Sequence, residues 1–167
     1  MSEEGDKEIT RIELAVSLAR DRFLTSQFNC AEATLWALDR ALDLGAGERV
    51  LRAATPFGAG IGRCQATCGA LSGAIIALGL VLGRTHEDDL LKQIAYERAQ
   101  ALHAGFVAAS GSDSCRVLNP QGFDRPDLRT DCVGFVQLAT RLAAALLLSE
   151  STAILQVGSL GIHLEEE

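Results

Sequence analysis

Four of the five cysteines in this chain directly follow a residue of the kind that starts helices: Asn29-Cys30, Thr67-Cys68, Ser114-Cys115 and Asp131-Cys132. Asn, Thr, Ser and Asp are favoured there because a side-chain oxygen can accept a backbone N–H of the first turn. Such residues make up about a fifth of the chain, so four pairs from five cysteines is a pattern chance rarely produces. A cysteine just past a cap meets unpaired N–H groups and the positive end of the helix dipole, which stabilise a thiolate and lower its pKa. The thiolate is the form that ligates metals, attacks disulfides and reacts with oxidants. The competing reading is that free cysteine is a small apolar residue filling a core.

The spacings narrow the chemistry. No Cys-x-x-Cys occurs, which argues against a thioredoxin-type site, and no Cys-x-x-Cys-His for covalent haem. The paired knuckles of a zinc ribbon are missing as well. Instead the cysteines are spread over about a hundred residues, one per expected helix start. If those starts converge, four thiolates surround one point, which suits an iron–sulfur cluster or a closed zinc site. The same arrangement suits two thiols that form a reversible disulfide. Cys64 follows Arg63 and precedes Cys68 by four, so both share a helix face if the helix begins by Cys64. It is read as an auxiliary or resolving thiol, or as a spare packed cysteine.

The elements that must position these residues are helical. Glu8 to Leu24 carries Ile9, Ile12, Ala15, Val16, Ala19 and Phe23 at amphipathic spacing. Asn29 opens a second helix, with Glu32 completing a capping-box-like pair. Arg49 to Ala54 predicts a short helix stopped before Pro56. After the glycine-rich turn Phe57 to Arg63, a helix from Gln65 or Thr67 to Leu82 is apolar on nearly every side and should be central. Thr85 followed by Asp88 predicts the cap of a helix to about Ala109. Ser112 to Leu118 predicts a short turn or helix, Asn119 to Arg129 a surface loop, and Asp131 the cap of a last helix to about Leu148. Ser151 to Glu167 has no clear period.

Composition bounds the class. A chain of 167 residues fits one domain with a core that needs no disulfides. A net charge of −7 with few aromatics and scattered basic residues argues against nucleic acid and against an anionic membrane surface. The start, Met1 to Lys7, is polar and does not resemble an export signal, so a reducing, cytoplasmic setting is expected. Gly69–Gly83 is too short for a membrane span, and Val133–Leu148 is interrupted by Gln137 and Arg141.

Gly58-Ala59-Gly60-Ile61-Gly62-Arg63, followed by Cys68-Gly69-Ala70-Leu71-Ser72-Gly73-Ala74, resembles the CGAxxG signature of the C_GCAxxG_C_C family. These are bacterial and archaeal proteins described as redox-active, with four characteristic cysteines. The resemblance places the first at Cys30, in an Asn-Cys-Ala context, and the second at Cys68. The last two fall at Cys115, in Cys-Arg-x-Leu, and at Cys132. It spans roughly residues 12 to 146. A similar domain is fused to haem-binding segments in split-Soret-type cytochromes, so the resemblance implies electron transfer and an iron–sulfur centre. Cys64 and the extension after Leu148 depart from the family pattern.

The Gly58-x-Gly60-x-Gly62 run lacks the preceding strand and the Lys-Ser/Thr of a phosphate loop, so a tight structural turn is expected. If that turn lies beside Cys68, backbone amides at Gly60, Gly62 and Gly69 could contact a cluster sulfur. His86 and the acids Glu87-Asp88-Asp89 read as solvated, as do Glu165 to Glu167. His103 reads as a core or interface residue, and the spacing supports no histidine ligand, His163 included. Nothing orders Ser, His and Asp as a hydrolase would.

The expectation is therefore an all-α, single-domain bundle of five to six helices over residues 1–150, with an extension at 151–167. Its four redox-active thiols, Cys30, Cys68, Cys115 and Cys132, bind an iron–sulfur cluster or another thiophilic metal for electron transfer. An unassigned redox partner and a homodimer are expected, with no nucleic acid and no membrane span. The rivals are a metal-free thiol–disulfide protein and a structural or adaptor module whose cysteines only pack.

Overall fold

The computed structural model describes the backbone of residues 3–159 and the side chains of residues 3–149; residues 160–167, with His163 and Glu165 to Glu167, lie outside the described residues. The first amphipathic segment becomes α1 (Glu3–Thr25), burying Ala15, Val16, Ala19 and Phe23. α2 (Cys30–Leu42) begins behind a complete capping box. The Asn29 side chain accepts from the N–H groups of Ala31 and Glu32, and the Glu32 carboxylate accepts from the Asn29 N–H at 2.8 Å. α3 (Gly47–Ala54) leads through a single 3-10 turn, Thr55–Phe57, into the glycine-rich segment.

α4 (Gly69–Leu82) is the central helix, with Gly69 through Ala74 all buried. A Cβ at Gly73 would lie 2.4 Å from the Ala31 carbonyl oxygen, so α2 and α4 meet backbone to backbone and only glycine fits. α5 (Asp89–Ser110) is capped by Asp88, whose carboxylate accepts the Leu91 N–H at 2.8 Å. Thr85 is thus outside the cap expected for it. α6 (Cys115–Leu118) is a single turn, and α7 (Leu128–Ser159) packs against α1, α2, α4 and α5. Residues 151–159 of the expected extension continue α7.

The described residues form seven helices with no strand, so all-α holds and the count of five to six is corrected. The excess is α6, where the turn or helix expected at Ser112 to Leu118 closes into a single helical turn. By length and composition Leu128–Ser149 is apolar enough to cross a membrane. Here its inward face, including Val136, Ala139 and Ala143, is buried against the other helices, as in the core helix of a bundle.

The joint between Phe57 and Gly69 is unusual. Ala59, Ile61, Arg63 and Gln65 take φ values of 55°, 60°, 70° and 57°, interleaved with Gly60 at 66° and Gly62 at 57°. The Gly62 N–H donates to the Gly58 carbonyl and the Ala66 N–H to the Gly60 carbonyl, both at 3.0 Å, so Gly58–Ile61 winds into a left-handed turn. That conformation costs roughly 1–2 kcal/mol for each non-glycine residue, so surrounding contacts must hold it.

Candidate four-cysteine site

The contacts that hold the turn also carry the cysteines. The Cys68 N–H donates to the Asp113 carbonyl and the Cys115 N–H to the Ala66 carbonyl, both at 2.7 Å. Arg116 N–H adds a bond to the Gln65 carbonyl at 3.1 Å, and Thr67 faces Ser114 in an isolated antiparallel bridge. The start of α4 is thereby fastened to the start of α6. Gly60 makes the approach feasible: a Cβ there would sit 2.6 Å from the Cys115 Cβ.

Cys30, Cys68, Cys115 and Cys132 all line one cavity of about 110 Å³. A single water needs only about 10–15 Å³, so the space is several times what one water occupies. Phe23, Phe123, Phe135 and Leu128 supply apolar walls, with Asn29, Asn119 and Arg129 as the polar members. Cys68 and Cys115 are buried, whereas Cys30 and Cys132 are partly open.

Cys30 is the most enclosed by backbone. The N–H groups of Ala59, Ala31, Gly69 and Cys30 itself face its sulfur. A Cβ at Gly69 would lie 2.5 Å from Cys30 Sγ and 2.8 Å from the Phe57 carbonyl oxygen. The glycine therefore lets the start of α4 close on the sulfur. Gly69 thus lies against Cys30 and Gly60 against Cys115. Gly62 lies against neither: it is exposed, and a Cβ there would find only the Pro56 carbonyl oxygen, at 4.0 Å.

The expectation of lowered thiol pKa values is overturned. Burial pushes Cys30 up, against the pull of its four amides. Cys68 is pushed up to about 12 and Cys132 to about 11, by burial first and then by repulsion from a charge on Cys30. Cys115 is raised by the same two causes. Arg125 opposes the shift at Cys132 without cancelling it. Desolvation outweighs the helix N-termini because the sulfurs face an apolar cavity and one another. The metal-free site is four neutral thiols. A charge on Cys30 is felt by each of the other three, so they constitute one electrostatic unit.

Two of the four expected caps are corrected, and a third holds only in position. Cys68 itself, not Thr67, occupies the cap position of α4. Ser114 stands at the start of α6 without a side-chain cap bond. Asp131 lies inside the first turn of α7, because that helix begins at Leu128 just past Pro126, so Cys132 sits a turn deep. Cys64 is exposed and lies outside the cavity; α4 begins only at Gly69, which rules out a shared helix face with Cys68. His103 pairs with Asp113 at 3.1 Å on an exposed surface and His86 is exposed, so neither reaches the cavity. Among the described residues, no three His, Cys, Asp or Glu side chains stand close enough to hold one metal ion.

The sequence reading missed the loop wall. Asn119 is buried, donates to the Gly122 carbonyl at 2.9 Å and accepts from Arg125 at 2.8 Å. Arg129 donates to the Phe23 and Phe28 carbonyls, joining α7 to the end of α1. Phe123, a large apolar side chain inside a polar loop, was the available signal that this segment folds over a site.

The family model described as "Putative redox-active protein (C_GCAxxG_C_C)" matches residues 28–146, and the chain belongs to that family. It is also similar to an "Uncharacterized protein" of Archaeoglobus fulgidus, 30% identical over 132 residues that cover 74% of this chain and 87% of the other. No solved structure matches it.

Proposed function

We propose that the protein is an electron-transfer protein whose Cys30, Cys68, Cys115 and Cys132 bind an iron–sulfur cluster or another thiophilic metal. The observation that carries this reading is the convergence of four cysteines, far apart in sequence, on one apolar cavity. Four thiols are the ligand set of a cluster or a closed zinc site. A cavity of about 110 Å³ between them is more than a lone ion fills, which favours a polyatomic centre. When bound, such a centre would supply a one-electron couple.

The chain's own residues have definable parts. The amides around Cys30 would hydrogen-bond its sulfur and offset negative charge there. The phenylalanine walls would exclude water. The raised thiol pKa values mean that loading must release protons, so metal uptake should strengthen as pH rises.

One observation favours a second reading, a metal-free thiol–disulfide protein: Cys30 lines the same cavity as the other three thiols, and a charge on it raises the pKa of each. Anaerobic purification followed by iron, zinc and acid-labile sulfide analysis, with an absorption spectrum, separates the two. Iron with sulfide supports the cluster. Colourless protein with four freely titratable thiols rejects it, and a mass lower by two protons on oxidation establishes exchange. Zinc alone supports a structural site.

A further inference from the structure

The outer surface of the segments that carry the site remains unexplained by it. Residues 60–66 and 114–116 are laced by backbone hydrogen bonds, and each segment bears site residues on its inner side. Gly60 abuts Cys115, and the Ala59 amide faces Cys30. On the outer side Ile61 is 45% exposed and Val117, in the same short helix as Cys115, is 62% exposed. Arg63 and Arg116 flank them and are exposed as well.

The charge here runs against the rest of the chain. The protein carries −7, yet residues 60–66 and 114–118 hold Arg63 and Arg116 and no Asp or Glu. Arg63 pairs with Asp124 at 2.7 Å, but both side chains are largely exposed and such a pair contributes little. Its guanidinium also stacks 5.1 Å from the Phe123 ring centroid, and Phe123 is a wall of the cavity. Arg116 forms no ion pair among the described residues. An apolar centre with arginines at its rim, inside an acidic protein, is complementary to an acidic surface.

We propose that the face formed by the left-handed turn and α6, with Ile61, Arg63, Arg116 and Val117, docks an acidic electron-carrier protein. This rests on the redox reading of the site beneath it. The carrier's reduced cofactor loses one electron and the oxidised site gains it through the Gly60–Cys115 and Ala59–Cys30 contacts. If the acceptor is a disulfide, two such transfers and two protons yield two thiols. The left-handed backbone presents its small inner residues to the sulfurs and its larger ones outward, so the path from docked surface to thiol is about one residue deep.

The test mixes full-length oxidised protein anaerobically with reduced flavodoxin as the acidic probe and follows flavin absorbance in a stopped-flow instrument. The expected rate falls on the order of tenfold between low and high salt, and falls similarly in the Arg63→Glu/Arg116→Glu variant at low salt. Reduction by the small molecule dithiothreitol or dithionite should be unchanged in that variant, which also reports that it folds. A flavodoxin rate indifferent to salt and to both arginines overturns the docking face while leaving the redox site intact. If neither flavodoxin nor the small reductants deliver electrons, the redox reading itself falls and the docking proposal with it.

Discussion

Cys30 and Cys132 reach the same cavity from opposite kinds of helix. Cys30 follows a true cap: Asn29 and Glu32 satisfy one another's backbone donors, and four amides surround the sulfur. Cys132 follows an acid that caps nothing, a turn inside the long α7, and its charged neighbours are Arg125 and Asp131. The contrast extends to their glycines. Gly69 has no room for a methyl group because Cys30 occupies it, whereas Gly134, two residues past Cys132, has nothing within 4 Å. One side of the site is built by backbone and is rigidly specified. The other is a side chain projecting from the start of α7. What orders a thiol is thus the set of groups facing it, and a cap-like neighbour in sequence is only one route to that.

The largest separation between the two should appear in the site itself. Cys30→Ser should abolish cofactor retention, or in metal-free protein the disulfide, while Cys132→Ser retains a measurable fraction; iron, sulfide and thiol assays on both variants decide this. Equal loss in the two would erase the distinction.

Next comes packing. Gly69→Ala should destabilise the fold by about 2–3 kcal/mol through overpacking against Cys30 and the Phe57 carbonyl. Gly134→Ala, in an open helical position, should stabilise it by about 0.5–1 kcal/mol. Urea unfolding of both measures the difference in sign.

The caps give a smaller effect of the same form. Asn29→Ala should cost about 1–2 kcal/mol, since its oxygen serves two amides. Asp131→Ala should cost less, about 0.5–1 kcal/mol, because Asp131 is half-exposed although its partner Arg125 is largely buried. A comparable loss at Asp131 in thermal melts would mean that α7 does depend on it.

The smallest is the pH response of the metal-free protein. Thiols of the unfolded chain ionise near 9, whereas Cys132 in the fold holds its proton to about 11. The folded state then binds more protons in that window, so stability is full below pH 9 and declines as pH rises through it. Cys132→Ser should flatten this decline by about 1 kcal/mol, the partly open thiol being screened by solvent. An unchanged slope between pH 8 and 11 would place the alkaline loss at the other thiols.

Helix content, the Asn29 cap and the buried character of α4 were legible because each depends on residues within a turn or two. The six consecutive buried residues of α4 need only an apolar, small-residue sequence to be recognised as central. The left-handed turn was not legible: three of its positive-φ residues after Gly58 are Ala59, Ile61 and Arg63, which local preference sends the other way. The turn is held by tertiary hydrogen bonds from residues 113–116 to residues 65–68. The loop wall was hidden for the same reason, since Asn119 and Phe123 look solvated until the chain folds them over the cavity.

Taken alone, the sequence determined which residues could do chemistry, that helices would carry them, and that four cysteines share one family pattern. Those are matters of residue type and short-range spacing. Only the tertiary structure decided that the four line one cavity, that Cys64 and Gly62 stand apart, and that the thiols are neutral where helix starts suggested thiolates. Burial and mutual repulsion are properties of the assembled cavity, and they outweigh the local electrostatics that a dipeptide can foretell.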